Sequence, residues 1–382
     1  MNKILIINQN SGYLMIDLAN SLAEKNFDVS LLTGRLIVRN TKLHNSIKLR
    51  KILSYNRNTT FSRIISWMIA FIQITWSVKI HYRQHFIIIV SNPPLNAFLP
   101  IFVKNRFSYL VFDLYPQILV KKGILRNESF VNRFWMKTNL KVFRQADEIF
   151  AITESMAEAI QPYCNNKNIQ VVPLWGHNNF FNVPDKNCNP FIAEHKLQGK
   201  FIVLYSGNLG ANQNSELFLE LAMKSKNPDI IFLIIGEGSH KKFLEQKVEN
   251  LKIDNCILLP FLPAEILPYS FSAADLAIVS IGPDISELSI PSKTFSYIAA
   301  GLPLMCISPK NSELERHVRK FNNGESFTID QIKEMTEFIE DLSGNENKLT
   351  AFRRNSLEAS KHFSIKNAEI IPDILVNSIF AQ

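Results

Sequence analysis

The sequence contains little glycine, only 13 residues in 382, against a usual share of roughly 7%. Six of these glycines lie between residues 207 and 301, and most of them directly follow a strand-like run. Open α/β sheets bind their ligands beyond the carboxyl ends of the strands. The distribution of glycine therefore indicates a binding site in the second half of the chain.

Cysteine is scarce as well. The chain has four cysteines, widely spaced and without a C-x-x-C pair, which argues against a zinc site or a disulfide framework and fits a reducing compartment. The eight histidines show no spacing that is typical of a metal site or a catalytic triad. The opening run MNKILIINQN enters a strand pattern directly and lacks a signal-peptide cleavage site. We therefore expect a cytoplasmic protein.

Acidic residues are absent from 29–112, a stretch that holds twelve Lys and Arg. Residues 1–198 contain 24 Lys/Arg against 11 Asp/Glu, a net charge of +13, whereas residues 199–382 contain 18 against 23, a net charge of −5. Such asymmetry favours nucleic acid, an anionic membrane surface or a phosphorylated substrate as partner. No nucleic-acid-binding motif accompanies the charge, so we expect no nucleic acid partner.

The acid-free stretch includes the apolar run RIISWMIAFIQITWSVKIHYR, residues 63–83. On a helical wheel its polar residues form one narrow stripe, namely Ser66, Gln73, Ser77 and His81. The run is slightly short for a membrane span, which needs about 20 mostly apolar residues. A buried or membrane-contacting helix is favoured, with Trp67 and Trp76 suited to a membrane interface.

Short apolar runs alternate with helical patterns along the chain, which predicts an α/β protein with parallel sheets. Strands are expected at 3–8, 27–33, 86–91, 108–113, 148–153 and 169–174, and again at 200–208, 229–238, 255–262, 275–281 and 302–308. We predict an N-terminal domain over 1–174, a polar linker over 175–199, a second domain over 200–355 and C-terminal helices over 356–382 that pack back toward the first domain.

Two glycine turns in the second half are candidate ligand sites. YSGNLGANQN, residues 205–214, leads from a strand into a helix, and its backbone N–H groups could cradle phosphate oxygens. It is neither a G-x-G-x-x-G nor a Walker sequence, so a plain strand–helix turn remains open. In IIGEG, Gly236 and Gly238 would let a ligand or a neighbouring loop approach the backbone. Glu237 between them is either a ligand-binding carboxylate or a solvated one.

The stretch SIPSKTFSYIAAGLP, residues 289–303, is the most specific pattern. Ser292 is a plausible N-cap, and Lys293 then stands in the first turn of a helix, where free N–H groups and the macrodipole attract anions. The lysine suits a phosphate or diphosphate ligand, although an ordinary surface lysine fits the spacing equally well. Asp284 and Glu287, just upstream, could meet sugar hydroxyls.

These motifs resemble those of nucleotide-sugar-dependent glycosyltransferases of the GT-B fold, in particular glycosyltransferase family 4. The resemblance runs over VLYSGNLG, IIGEG, ILLPFLP, FSAADLAIVS and above all PSKTFSYIAAGLP, and covers roughly residues 200–325. SNPP, FDLYP and ADEIFAITESM are weaker matches in the first half. Within the family the sequence looks most similar to enzymes of bacterial O-antigen, capsule or exopolysaccharide biosynthesis on a lipid carrier.

The resemblance implies two Rossmann-like, doubly wound domains facing a cleft, with the nucleotide-sugar donor on the second domain and the acceptor on the first. It implies a retaining transfer without a metal or other cofactor. The expected site residues are Gly207, Asn208 and Lys293 for the donor diphosphate, Gly236, Glu237, Gly238, Leu262 and Ser296 for the nucleotide and ribose, Asp284 and Glu287 for the donor sugar, Gly12 in a first-domain loop near the donor, and Asp113 as the catalytic candidate. Asp113 could bind acceptor hydroxyls, stabilise positive charge at the sugar, or merely cap a turn.

The sequence departs from the family pattern in two places. The second glutamate of the family's Glu-x7-Glu motif, which binds ribose hydroxyls, is Ser296 here, and the first falls at Leu288, beside Glu287. The basic pair that many members carry after the first strand of the second domain is missing from GNLGANQN. Lys293 is therefore the candidate for the missing positive charge.

We expect a hexosyltransferase-type enzyme, peripheral at the inner face of the plasma membrane. It would move an N-acetylated or deoxy hexose from a UDP-sugar donor to a lipid-diphosphate-linked saccharide acceptor, on an anionic membrane surface. A UDP-N-acetylglucosamine 2-epimerase, which has the same fold, and a non-catalytic membrane-associated subunit of a polysaccharide assembly complex are the alternatives. The two departures from the family motifs are the main support for the second alternative.

Overall fold

The computed structural model describes residues 2–38, 41–56, 59–121, 123–164, 167–176, 186–210, 214–263, 265–282 and 290–380. The chain forms two compact units. Unit 1 consists of Met1–Trp175 and Ile365–Gln382, and unit 2 consists of Gly176–Ser364. The chain thus returns to unit 1 at its carboxyl end.

Unit 1 alternates strands and helices. Its strands are β1 (Lys3–Ile7), β2 (Asn10–Ser11), β3 (Asp28–Thr33), β4 (Arg35–Leu36), β5 (Lys48–Lys51), β6 (Phe86–Val90), β7 (Phe107–Val111), β8 (Ile149–Ala151) and β9 (Ile169–Val171). Its first helices are α1 (Tyr13–Glu24), α2 (Thr60–His81), α3 (Leu99–Phe102), α4 (Gln117–Lys121), α5 (Phe130–Gln145) and α6 (Glu154–Ile160), with a 3-10 helix at Pro94–Phe98 before α3.

Unit 2 follows the same plan. Its strands are β10 (Phe201–Ser206), β11 (Ile230–Ile235), β12 (Cys256–Leu259), β13 (Leu276–Ser280), β14 (Leu304–Ile307) and β15 (Gly324–Phe327). Its helices are α7 (Pro190–Glu194), α8 (Ser215–Lys224), α9 (Lys241–Leu251), α10 (Leu267–Ala273), α11 (Lys293–Ala299), α12 (Glu313–Phe321), α13 (Ile332–Gly344) and α14 (Glu346–Lys361). The last helix of the chain, α15 (Ile370–Ser378), belongs to unit 1.

Both main sheets are parallel and have the strand order of a Rossmann fold. The sheet of unit 1 runs β5-β3-β1-β6-β7-β8-β9, and that of unit 2 runs β12-β11-β10-β13-β14-β15. In each sheet the order reverses beside the first strand, between β1 and β6 in unit 1 and between β10 and β13 in unit 2. Ligands of such sheets bind at this switch point, beyond the carboxyl ends of the strands.

The central strands are buried on both faces, which explains their continuous apolar sequences. Every residue of Phe86–Val90 and of Phe107–Val111 is buried, as is every residue of Leu304–Ile307 in unit 2. The predicted α/β fold with two Rossmann-like halves is confirmed. The pattern missed β5, whose sequence KLRK is wholly exposed at a sheet edge, because a basic edge strand has no apolar run.

The segment between the two sheets is more ordered than the sequence suggested. Residues 177–185 of the expected linker lie outside the described residues, but α7 starts at Pro190, where the Asn189 side chain accepts a hydrogen bond from the backbone N–H of Phe191 at 3.0 Å. Both α7 and its cap fall inside unit 2. At the other end, residues 356–364 stay with unit 2 and only Ile365–Gln382 join unit 1.

Candidate functional site

The switch point of unit 2 brings together the ends of β10 and β11 and the start of α11. Lys293 and Tyr297 stand four residues apart on one face of α11. The hydroxyl of Tyr297 accepts a hydrogen bond from the backbone N–H of Ser206 at 2.7 Å and donates one to the Ser206 carbonyl at 3.1 Å. This face of α11 therefore meets the carboxyl end of β10.

Lys293 reaches the same place. Its Nζ atom lies 3.6 Å from the centre of the Tyr205 ring, and a Cβ atom placed on Gly207 would be only 2.7 Å from that nitrogen. Because Gly207 has no side chain, it leaves the space that the end of the Lys293 side chain occupies. The ammonium group is buried and has no hydrogen-bond partner among the described residues.

An unpaired buried ammonium is unstable. Burial lowers the pKa of Lys293 from its usual value to about 7, since removal from water penalises the charged form. Burial raises the pKa values of Tyr205, whose ring the ammonium group contacts, and of Tyr297 on the same face of α11, so both tyrosines stay neutral. The site holds a latent positive charge that an anion would stabilise.

Gly236 and Gly238 lie against the backbone of a neighbouring loop and do not face open space. A Cβ atom on Gly236 would lie 1.9 Å from the carbonyl oxygen of Gly207, and one on Gly238 would lie 2.3 Å from that of Leu209. The N–H groups of Gly207 and Leu209 donate to the carbonyls of Ile235 and Glu237, each at 2.9 Å. The sequence left two roles for these glycines, the approach of a ligand or the approach of a neighbouring loop. These contacts match the second role.

The other predicted donor residues differ in their exposure and partners. Asn208 is exposed, and its carbonyl accepts a hydrogen bond from the Tyr205 hydroxyl at 2.9 Å. Glu237 is exposed and forms an ion pair with Lys241 at 2.6 Å. Leu262 and Ser296 are half-buried. Asp284 and Glu287 lie outside the described residues, so the structure says nothing of their predicted contact with a sugar.

The helix that carries Lys293 is short. α11 spans seven residues, Lys293–Ala299, and Ser292 occupies the N-cap position without a capping hydrogen bond from its side chain. The expectation of an anion at this helix N-terminus therefore stays a prediction. The positive charge comes from the lysine side chain itself.

Unit 1 has a cavity at its own switch point. About 240 Å³ in volume, it is lined by residues after the carboxyl ends of β1, β6 and β7, including the predicted Gly12 and Asp113 together with Asn8, Asn10, Asn92 and Phe112. Asp113 is half-buried, and its backbone N–H donates to the Ser91 hydroxyl at 3.0 Å. The structure thus brings two separately predicted residues into one cavity.

The asparagines of this cavity were missed at the sequence level. Asn8 and Asn10 each leave a buried side-chain oxygen without a hydrogen-bond partner in the described part of the chain. Both follow β1 directly in the run NQN, and Asn92 follows β6 in SNPP. Their position after strand ends at the switch point was the available signal.

A larger depression elsewhere contains none of the predicted site residues. It measures about 720 Å³ and lies in unit 2 among α8, α9 and the start of α13, with Glu216, His240 and Lys247 in its lining. Among the described residues no group of three or more His, Cys, Asp and Glu side chains is placed to hold a metal ion.

Comparison with known proteins gives a family match in the second half of the chain. Residues 190–359, which fall within unit 2, match the family of glycosyl transferases group 1. Unit 2 is similar to this family over those residues. The group 1 match includes both glycine loops and the helix that carries Lys293.

Individual relatives agree with the group 1 assignment. The chain is 26% identical over 216 residues to the probable glycosyltransferase WbjE of Pseudomonas aeruginosa, covering 55% of this chain and 53% of WbjE. It is 28% identical over 158 residues to the putative colanic acid biosynthesis glycosyl transferase WcaI of Escherichia coli, covering 41% and 39% respectively. The matches thus span about half or less of each curated relative.

The whole chain has the fold of solved glycosyltransferases such as WaaG, a glycosyltransferase involved in lipopolysaccharide biosynthesis, which superimposes with a TM-score of 0.69 at 13% identity and covers 97% of this chain and 99% of that one. The structure of Anabaena Alr3699/HepE in complex with UDP superimposes with a TM-score of 0.73 at 14% identity, covering 99% of this chain and 100% of that one. At this identity the likeness establishes the fold alone. The predicted GT-B fold is confirmed.

Proposed function

We propose that the protein is a retaining hexosyltransferase that uses a UDP-sugar and acts in the synthesis of a bacterial surface polysaccharide. The acceptor is a saccharide linked through a diphosphate to a lipid carrier, and the transfer takes place at the inner face of the plasma membrane. The donor sugar is an N-acetylated or deoxy hexose. No metal ion is required.

The observation that carries this proposal is the buried, unpaired ammonium group of Lys293 beside Gly207. When the bond between the sugar and the donor diphosphate breaks, negative charge develops on the leaving diphosphate. A cation already fixed in a water-poor site stabilises that charge without reorganisation. Lys293 supplies the charge that the loop after β10 lacks.

The cavity of unit 1 supports the acceptor half of the proposal. Asp113 and the amide groups around it offer hydrogen-bond acceptors and donors of the kind that bind sugar hydroxyls. A carboxylate near the reacting sugar would also stabilise the positive charge that develops there. We assign Asp113 to one of these two roles, since both place the carboxylate against a substrate.

Relatives support the substrate class. WcaI is named for colanic acid biosynthesis, and HepE has been solved with UDP and with UDP-glucose. The missing family glutamate at Ser296 and the missing basic pair after β10 still favour one rival, a non-catalytic subunit of an assembly complex.

A transfer assay tests the proposal. Purified protein would be mixed with radiolabelled UDP-N-acetylglucosamine, UDP-N-acetylgalactosamine, UDP-glucose or UDP-galactose, together with lipid-linked saccharides extracted from cells that lack the protein. Label should enter the organic phase with one donor, and Asp113→Asn should reduce that transfer while leaving UDP binding intact. Release of free 2-epimerised sugar would favour the epimerase. If neither product forms and the protein binds no UDP, the result would favour the non-catalytic subunit.

A further inference from the structure

Helix α2 has one buried face and one exposed apolar face. Ala70, Ile74 and Val78, each four residues apart, are fully buried against unit 1. The opposite face exposes large apolar side chains, namely Phe61, Ile64, Ile65, Met68, Ile69, Ile72, Trp76 and Ile80. Phe61 is 74% exposed and Trp76 67%. Single exposed apolar residues are ordinary, but a continuous face of this kind marks an interaction site.

The exposed apolar face continues beyond α2. The ring of Phe71 lies 5.8 Å from that of Phe102 in α3. Phe98, just before α3, stacks at 5.9 Å on Phe134 of α5, which stacks at 6.4 Å on Phe130. Phe102, Phe130 and Phe134 are all exposed. We call the exposed side chains of α2, α3 and the first turn of α5 the apolar surface.

Basic residues extend this surface along α5. Arg133, Lys137, Lys141 and Arg144 are exposed at spacings of three and four residues, which places them on one face of the helix. We call these four residues the basic stripe. Neither α2 nor α5 contains an acidic residue, and Lys79 stands in the last turn of α2. Exposed aromatic side chains beside a row of basic side chains are typical of a surface that binds a membrane interface.

We infer that the apolar surface and the basic stripe dock the protein onto an anionic lipid bilayer. α2 lies in the plane of the interface with its apolar face among the acyl chains, and the basic stripe of α5 contacts lipid phosphates. This inference deepens the proposed function, on which it rests for the lipid-linked acceptor. The sequence singled out α2 for membrane contact, whereas the participation of α3 and α5 comes from the structure.

Two other uses of α2 fit the contacts less well. α2 is long and apolar enough to cross a membrane, but a crossing would remove Ala70, Ile74 and Val78 from the core. It would also break the hydrogen bonds from the backbone N–H of Leu53 to the Gln73 side chain, at 2.7 Å, and from the Gln9 side chain to the Ser66 carbonyl, at 3.1 Å. A second copy docked through the same surface would leave the basic stripe without opposite charges, because neither α2 nor α5 contains an acidic residue. An anionic bilayer satisfies both the apolar and the basic groups.

Sedimentation with lipid vesicles tests the inference without a nucleotide. Vesicles of phosphatidylcholine alone would be compared with vesicles that also contain phosphatidylglycerol. The wild type should bind the anionic vesicles, and salt should weaken that binding. The triple variant Arg133→Gln/Lys137→Gln/Lys141→Gln should bind them about 100-fold more weakly. Each basic side chain near such a surface raises the affinity by about fivefold, and the variant loses three of them.

A matched control removes the same charge elsewhere. Lys242→Gln/Lys320→Gln/Lys333→Gln takes three exposed lysines from α9, α12 and α13 of unit 2 and should bind anionic vesicles within about threefold of the wild type if the basic stripe is responsible. Ile72→Ser/Trp76→Ser should abolish binding to the anionic vesicles, because it removes two exposed side chains of the apolar surface. Unchanged thermal unfolding would establish that each variant is folded.

Several outcomes would overturn the inference. Equal losses in the two triple variants would mean that net charge alone drives binding. Retention in the membrane after alkaline carbonate washing would mean that α2 spans it. A lipid-free dimer that Ile72→Ser/Trp76→Ser converts to a monomer, with vesicle binding unchanged, would assign the surface to a second copy. Failure of vesicle binding in protein that is stabilised by UDP would remove this inference and leave the proposed function standing.

Discussion

At the scale of single residues, Lys293 links the sequence motif to the proposed chemistry. Its place in PSKTFSYIAAGLP made it a candidate, because a cation near a strand–helix junction suits a diphosphate. The contact with Tyr205 and the room left by Gly207 could not be read from the sequence, since both residues lie more than 80 positions away along the chain. Whether the lysine was exposed or buried depended on that distant contact.

Donor affinity should therefore depend on pH. In the free protein Lys293 has a pKa of about 7, and a bound diphosphate raises it, so binding selects the protonated form. The affinity for UDP-glucose should be constant below the free pKa and fall above it, by about tenfold between pH 6 and pH 8. Titration calorimetry measures this directly. A flat profile would contradict the role of Lys293, and Lys293→Met should bind weakly and show no such dependence.

The same lysine should destabilise the protein without ligand. Replacing it by methionine removes a buried unsatisfied group, which typically costs about 1–3 kcal/mol, so Tm should rise by about 2–10 °C at pH 7. Because the pKa is lowered by folding, the unfolded chain binds more protons between about pH 7 and pH 10. The stability of the wild type should therefore rise with pH in that range.

Thermal unfolding of wild type and Lys293→Met across this pH range tests whether the stability of the wild type rises with pH. The difference in Tm should narrow as the pH rises toward the usual lysine pKa of about 10.4, above which Lys293 is neutral in the folded and the unfolded state alike. A variant less stable than the wild type at pH 7 would mean that Lys293 has a partner that stabilises it.

At the scale of elements, the strands were the easiest part to predict. Parallel strands buried on both faces are continuous apolar runs, so all but the short or basic ones were found from the pattern. The edge strand β5 and the short strand β15, whose sequence is GESF, lack that signal and were missed. The helix α2 was expected to be buried or membrane-contacting, and the structure gives it a buried face and an exposed face.

The loops after β10 and β11 make an element-scale prediction. Gly236→Ala would place a methyl group against the Gly207 carbonyl, so it should reduce the free energy of unfolding by about 1–3 kcal/mol and weaken UDP binding by displacing the loop beside Lys293. Gly344→Ala is the control, because its added methyl group meets no atom within 4 Å. Denaturant unfolding measures the free energy of unfolding of both variants. Equal values would mean that the loops after β10 and β11 move apart without loss of stability.

At the scale of the whole molecule, the two Rossmann-like halves followed from the alternation of strands and helices, whereas the path of the carboxyl end did not. A run of amphipathic helices does not reveal which core it joins. The structure places Leu375, which is fully buried, in the core of unit 1, and the ring of Phe380 lies 5.3 Å from that of Phe27. The final residues therefore complete the first unit.

Leu375→Ala tests this return of the chain. Removing a fully buried leucine side chain should destabilise unit 1 by about 2–5 kcal/mol. UDP should still stabilise the variant, because the proposed donor site lies in unit 2. Calorimetric unfolding with and without UDP separates the two effects, and loss of UDP stabilisation in this variant would show that the donor site depends on the packing of α15.

The most direct test of the account is thermal unfolding of wild type and Lys293→Ala with UDP, with GDP and without nucleotide. At 100 times its Kd a ligand stabilises by about 2.7 kcal/mol, which shifts Tm by roughly 5–10 °C in a unit of this size. The account predicts such a shift for the wild type with UDP, and little or none in the variant. A wild type that neither nucleotide stabilises, or a variant stabilised by UDP as much as the wild type, would contradict it.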